Sequence, residues 1–207
     1  VAAGAYKLIL NQSYQNVIIL GPSHHVYFME ASILNTTHYK TPLGEAALDT
    51  SLFKMIEQED IFSSELSPHK KEHSVEIQIP FIQKVLPDTK IIPIAVGDVD
   101  PLELADSLEK YVEHDTLMIV STDLSHYYPY DIASEIDNSC IEDILSMDIS
   151  GTGMCEACGI KPLLALMHIA QRKEWDPVLL DYKNSGDITG NTGEVVGYAS
   201  MAFLGDS

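Results

Sequence analysis

Short apolar runs alternate along the chain with stretches in which apolar residues recur at helical spacing. Asn16 to Leu20, Lys90 to Val96, Thr116 to Ser121, Val178 to Tyr182 and Val195 to Phe203 read as strands, rich in Val, Ile and Leu. Most are unbroken by polar positions, and a strand apolar on both faces is buried on both, as in a parallel sheet sandwiched by helices. Val1 to Leu10, Leu48 to Gln58, Val75 to Leu86, Pro101 to His114, Tyr130 to Met147 and Lys161 to Arg172 carry the helical spacing. The alternation predicts an α/β fold, a single-domain sandwich around a mostly parallel β-sheet. No repeat, low-complexity tract or long linker marks a second domain, so residues 1–207 are expected to form one.

Two helix starts are legible. Asp100-Pro101 supplies an N-cap and a first-turn proline, and Ser74 precedes Val75 with Glu76 in the first turn. Pro80 falls inside the second of these helices and is expected to kink it, because proline lacks the amide donor and crowds the preceding turn.

Composition narrows the class. With 207 residues, 45% hydrophobic and 21% charged, the chain can bury a core without disulfide or metal staples. Its three cysteines are too few and too irregularly spaced for a secreted disulfide scaffold, and predict a reducing, cytoplasmic setting. Against 31 acidic residues stand 12 Lys and Arg, a formal charge of -19, so nucleic acid and anionic membrane surfaces are excluded as partners. The acids are scattered rather than gathered in a tail, which reads as a solvated surface. No apolar run approaches the ~18 residues that cross a bilayer. The opening Val1-Ala2-Ala3-Gly4-Ala5-Tyr6-Lys7-Leu8 reads as a helix entered midway, without a cap or a signal peptide, so a chain truncated upstream is expected.

Polar chemistry gathers just past the predicted strands. Val17-Ile18-Ile19-Leu20 runs into Gly21-Pro22-Ser23-His24-His25-Val26-Tyr27, delivering two histidines to the carboxyl edge where open α/β sheets bind ligands. The plain alternative is a turn with surface imidazoles. Thr116-Leu117-Met118-Ile119-Val120 likewise runs into Ser121-Thr122-Asp123-Leu124-Ser125-His126. There Asp123 could orient His126 for proton transfer, or cap a turn beside a solvated ring. Cys155-Glu156-Ala157-Cys158-Gly159 stands before a helix with Pro162 in its first turn, where backbone dipoles favour a thiolate. Its Cys-x-x-Cys spacing also fits a redox couple, but no second pair completes a zinc knuckle. Glu72-His73-Ser74-Val75-Glu76 sets His73 and Glu76 three apart, on one helical face if the helix reaches back that far. Asn184-Ser185-Gly186-Asp187 opens a turn-rich loop that could line a pocket or merely connect strands. With no phosphate-binding glycine loop, dinucleotide fingerprint or nucleophile elbow, the His, Cys and Asp residues read as a mononuclear metal site.

Gly21-Pro22-Ser23-His24-His25-Val26-Tyr27, Thr41-Pro42-Leu43-Gly44, Glu72-His73-Ser74-Val75-Glu76, Ser121-Thr122-Asp123-Leu124-Ser125-His126 and Cys158-Gly159 with Pro162 resemble, in order and spacing, the Memo family. The closing Asp181-Tyr182-Lys183-Asn184-Ser185-Gly186-Asp187-Ile188-Thr189-Gly190 looks like its prokaryotic branch, AmmeMemoRadiSam system protein B. The resemblance implies a fold similar to class III extradiol dioxygenases and a metal held by two histidines and a cysteine. By motif His24 and Cys158 are metal ligands, with Asp123 and His126 beside the metal. The other histidine belongs to a segment upstream of Val1, so metal is expected to be held weakly or lost in this truncated chain unless His25 or His73 substitutes. His25, His73, Glu76, Asn184 and Asp187 are expected to support the site from behind.

Together these motifs point to a metal-dependent redox or dioxygenase-like enzyme acting on an unknown small molecule. Iron or copper is the expected metal and zinc a possible one, because a thiolate favours softer ions. Cys158, rather than Cys155 or Cys140, is the expected functional thiol. The alternatives are a peptide- or protein-binding module using the same pocket and a Cys155/Cys158 redox protein. Phosphopeptide binding is disfavoured because Arg172 is the only arginine. Protein partners are expected among those encoded with the AmmeMemoRadiSam system.

Overall fold

The computed structural model describes residues 1–205. By its internal contacts the chain forms two compact units, Ile9–Ser121 and, from both ends of the sequence, Val1–Leu8 with the residues from Thr122 onward. Helix α1 (Ala3–Leu8) belongs to the latter.

The Ile9–Ser121 unit is built on a mostly parallel sheet. Its strands are β1 (Asn16–Pro22), β2 (Ala31–Ile33), β5 (Phe62–Ser63), β6 (Lys90–Val96) and β7 (Thr116–Val120), and β3 (His38–Thr41) with β4 (Gly44–Ala47) makes a separate hairpin. The sheet order is β5-β2-β6-β1-β7. β1 pairs in parallel with β6, Ile18 opposite Ile92, and with β7, Ile18 opposite Met118. β2 runs parallel to β5 and antiparallel to β6. Central β1 is buried at all seven positions, and Val17, Ile18, Ile19 and Leu20 expose no surface. Each such side chain contributes about 2 kcal/mol by leaving water. As read from the unbroken apolar pattern, the strand has neighbours on both edges and cover on both faces.

Helices α2 (Thr50–Ile56), α3 (Ile79–Val85) and α4 (Pro101–Leu108) bury one stripe each, through Leu52, Phe53 and Ile56, Ile79 and Ile82, and Leu104, Ala105 and Leu108. Asp100 caps α4 as expected, its carboxylate accepting from the Leu102 and Glu103 amides. The start read at Ser74 differs. Its hydroxyl donates to the Pro22 carbonyl at 2.9 Å instead of capping, a 3-10 turn (Glu76–Gln78) intervenes, and α3 begins at Ile79. Pro80 therefore stands in the first turn of α3, where its missing amide has no partner to lose, and produces no kink.

The second unit carries an antiparallel sheet of order β8-β10-β9, from β8 (His126–Tyr128), β9 (Asp176–Asn184) and β10 (Val195–Leu204). The apolar pattern of the last two runs predicts that they lie in the parallel sheet. They pair antiparallel instead, Tyr182 opposite Ala199, because the connection between them is too short for a parallel crossover. Its helices are α5 (Tyr130–Leu145), α6 (Ile149–Thr152), α7 (Ile160–Arg172) and α8 (Gly186–Thr189). Asp137 of α5 is fully buried and accepts the Ser125 amide at 2.9 Å and the Tyr182 hydroxyl at 2.8 Å. Gly197 is required opposite it, since a Cβ there would overlap the Asp137 carboxylate.

Candidate metal centre

β1 ends where the site begins. Gly21 packs so closely on the 72–76 segment that a Cβ would lie 2.6 Å from the Ser74 hydroxyl and 2.8 Å from a Val75 methyl. The Ser23 amide donates to the Val96 carbonyl at 3.0 Å and its hydroxyl to Val26 at 2.8 Å, turning the chain just past the carboxyl ends of β1 and β6. His24 stands at that turn, on the edge where open α/β sheets place ligands.

Glu72 organises what surrounds it. Its side chain is 2% exposed, whereas the His24 and His73 rings are 31% and 64% exposed. Glu72 Oε2 accepts the His24 amide at 2.6 Å, and Oε1 accepts the His24 ring Nδ1, the His73 amide and the Ser74 amide, each at 2.9 Å. Burial by itself would push the Glu72 carboxyl up, but these donors outweigh it and hold the pKa down at about 2. His24 and His73 stack with ring centroids 4.9 Å apart, and His25 lies 6.0 Å from His73. Ligand-type atoms of His24, Glu72 and His73 fall within 4.8 Å of one another, the one such cluster of three among the described residues. This chemistry fits a transition metal, since imidazole donors stand at an accessible edge over a buried anion.

His24, His73 and the neighbouring His25 are thus brought together. Glu76 is not part of the group. It is exposed in the 3-10 turn, and because helical structure starts at Glu76 itself, His73 shares no helical face with it. The sequence reading assigns Glu72 no role, although its place beside His73 in the same motif is the available signal.

Behind this group His69 is drawn inward. Its Nε2 faces the Ser32 carbonyl at 3.1 Å and its Nδ1 the Tyr39 hydroxyl at 3.2 Å. Burial lowers its pKa, against smaller upward pulls from the Ser32 contact and Glu72.

The remaining expected residues belong to the second unit. Cys158 precedes α7 with its Sγ accepting the Asp123 amide at 3.2 Å and 3.6 Å from the Thr122 hydroxyl, which itself accepts the Gly159 amide at 2.8 Å. His126 Nε2 lies 4.0 Å from Asp123 Oδ2, beyond hydrogen-bond length, so Asp123 clasps Cys158 through its main chain and does not orient His126 by a direct bond. Asn184 and Asp187 shape their own turn. The Asn184 side chain accepts the Gly186 amide, and Asp187 accepts the Asn184 amide at 2.9 Å and the Tyr130 hydroxyl at 2.7 Å. Cys155 is disulfide-bonded to Cys140 of α5, with Cα atoms 5.5 Å apart, and Cys158 is the free thiol. The Cys-x-x-Cys residues are therefore not each other's partner, because tertiary packing brings the loop after α6 against α5.

A family model for Memo-like proteins matches residues 1–202. The MEMO1 family protein of Sulfurisphaera tokodaii is 34% identical over 220 aligned residues, which span 98% of this chain and 77% of that protein. That of Sulfolobus acidocaldarius is 35% identical over 218, with the same coverage of both. Among solved structures, an uncharacterized protein of Escherichia coli K12 superposes with a TM-score of 0.60 at 13% identity, covering 95% of this chain and 91% of its own, a likeness of fold. No described helix is long and apolar enough to cross a membrane. The family model and the archaeal relatives agree over almost the whole sequence, and on that ground the chain belongs to the Memo-like family.

Proposed function

We propose that this Memo-like chain binds a transition metal, iron or copper ahead of zinc, at the imidazoles of His24 and His73, and serves a redox or dioxygenase-like reaction on a small molecule. The observation that carries the reading is the grouping of two imidazoles and a buried anion within 4.8 Å at the carboxyl edge of a parallel sheet. When bound, such a metal supplies a Lewis-acidic, redox-active centre. The chain's own work is to hold the His24 ring through Glu72 and to leave the His73 ring exposed. For the second unit we propose the roles that the family resemblance implies. Cys158, its sulfur facing the Asp123 amide, supplies a thiolate, and His126 takes up or releases protons.

Anaerobic titration with ferrous, cuprous and zinc ions tests the reading. Micromolar or tighter binding that His24→Ala weakens by at least tenfold is the expected result, with Cys155→Ser leaving it intact. Equal affinity in wild type and His24→Ala would sink the metal assignment. Oxygen uptake with a panel of catechols, measured on the loaded protein, tests the dioxygenase-like part.

A further inference from the structure

Closeness alone would make Glu72 a third metal ligand, since its carboxylate lies within the same 4.8 Å as the two imidazoles. Its hydrogen bonds argue otherwise. An ionised carboxylate only accepts, with about four lone-pair directions over its two oxygens. Oε1 takes three donors, the His24 ring Nδ1, the His73 amide and the Ser74 amide, each at 2.9 Å, and Oε2 takes the His24 amide at 2.6 Å. A metal on Oε1 would have to displace one of its three donors, and one on Oε2 would have to share a carboxylate that is 2% exposed with the short His24 amide bond.

The same contact settles which ring nitrogen carries hydrogen. Nδ1 of His24, 2.9 Å from an acceptor-only oxygen, must be N–H. A neutral imidazole has one N–H, so the lone pair of His24 is on Nε2. His73 is held differently, its Nδ1 being 3.6 Å from the same oxygen, too far for a hydrogen bond. We infer that Glu72 is a positioning residue and not a ligand: it locks His24 in the Nδ1–H tautomer, so that Nε2 is the nitrogen presented to metal, while the His73 ring stays free to adjust. The inference rests on the metal reading above only in its last step. The tautomer follows from the geometry of Glu72 and His24 themselves.

Long-range proton–nitrogen correlation spectra of the 15N-histidine-labelled chain read the tautomer directly, with the His24 signals assigned by their loss in His24→Gln. Metal-free protein should show His24 as Nδ1–H with unprotonated Nε2, and added zinc ion should shift Nε2. In Glu72→Gln the tautomer preference should be lost and zinc affinity should fall 10- to 100-fold, the usual effect of removing a residue that orients a ligand. The wild-type spectrum decides the tautomer even if Glu72→Gln fails to fold. An Nε2–H tautomer in metal-free protein, or zinc shifting Nδ1 together with the Glu72 carboxylate carbon, would overturn the inference. A wild-type chain in the Nδ1–H tautomer that binds none of the metals would overturn the metal reading and the ligand role of Nε2, leaving the lock itself standing.

Discussion

Glu72 accepts both the main-chain amide and the ring of His24, at 2.6 and 2.9 Å, so one buried carboxylate fixes the backbone and the side chain of a residue 48 positions away. The loop after β1 is thereby ordered by a segment that precedes α3, and the consequences can be measured.

Replacing Glu72 by Ala leaves the His24, His73 and Ser74 amides without their acceptor. Of these contacts the Ser74 one is buried, and an orphaned buried donor costs about 1 to 3 kcal/mol, so a loss of about that size is expected in urea unfolding. A loss below about 1 kcal/mol would mean that water replaces the carboxylate at little cost.

Gly21→Ala should destabilise by about 1 to 3 kcal/mol, because the new methyl meets the Ser74 hydroxyl and a Val75 methyl at less than contact distance. Metal affinity should fall with it, since Ser74 and Glu72 share the displaced segment. Thermal unfolding and zinc titration of the same variant check both effects.

The Cys140–Cys155 disulfide closes a loop of 15 residues, for which chain entropy gives about 3 kcal/mol. Cys155→Ser and treatment with a dithiol reductant should each lower stability by about that much, and should not add to one another. Urea unfolding of Cys158→Ser, with and without reductant, should show the full redox response.

His69 makes stability pH-dependent. Burial holds its folded pKa below the ordinary 6.5, so on acidification the unfolded chain takes up the proton first. Its contribution is complete above about pH 6.5 and is lost as pH falls toward the folded value. The Tyr39 hydroxyl, whose pKa burial and Glu76 push up to about 12, stays protonated over this range and donates to Nδ1 of the neutral ring. The wild-type melting temperature should therefore drop more between pH 7.5 and 5.5 than that of His69→Gln. Parallel curves would show that His69 is solvated at both pH values.

Asn16 to Leu20 and Lys90 to Val96 are legible in the sequence because buried strands are written as local apolar runs, and Thr116 to Val120, half-buried past Thr116, because Leu117 to Val120 is an apolar run as well. The cap at Asp100 is legible because an N-cap is set by its own residues. The strands of two to four residues, β2 to β5 and β8, are not. Pieces so short carry no period: β2 and β8 are held by the longer β6 and β10, β5 by β2, and β3 and β4 by each other.

The candidate site divides in the same way. The sequence by itself determined that His24 and His25 leave a buried strand at its carboxyl end, that Cys158 stands before a helix and that the chain carries Memo-family motifs, because each depends on order and spacing along the chain. Only the tertiary structure decided that Glu72 joins His24, that Cys155 pairs with Cys140 and that Asp123 meets Cys158 through its amide at 3.2 Å while standing 4.0 Å from His126. These are contacts between residues distant in sequence or differences of an ångström in reach. They depend on how buried groups find acceptors once the elements pack, which no local pattern encodes.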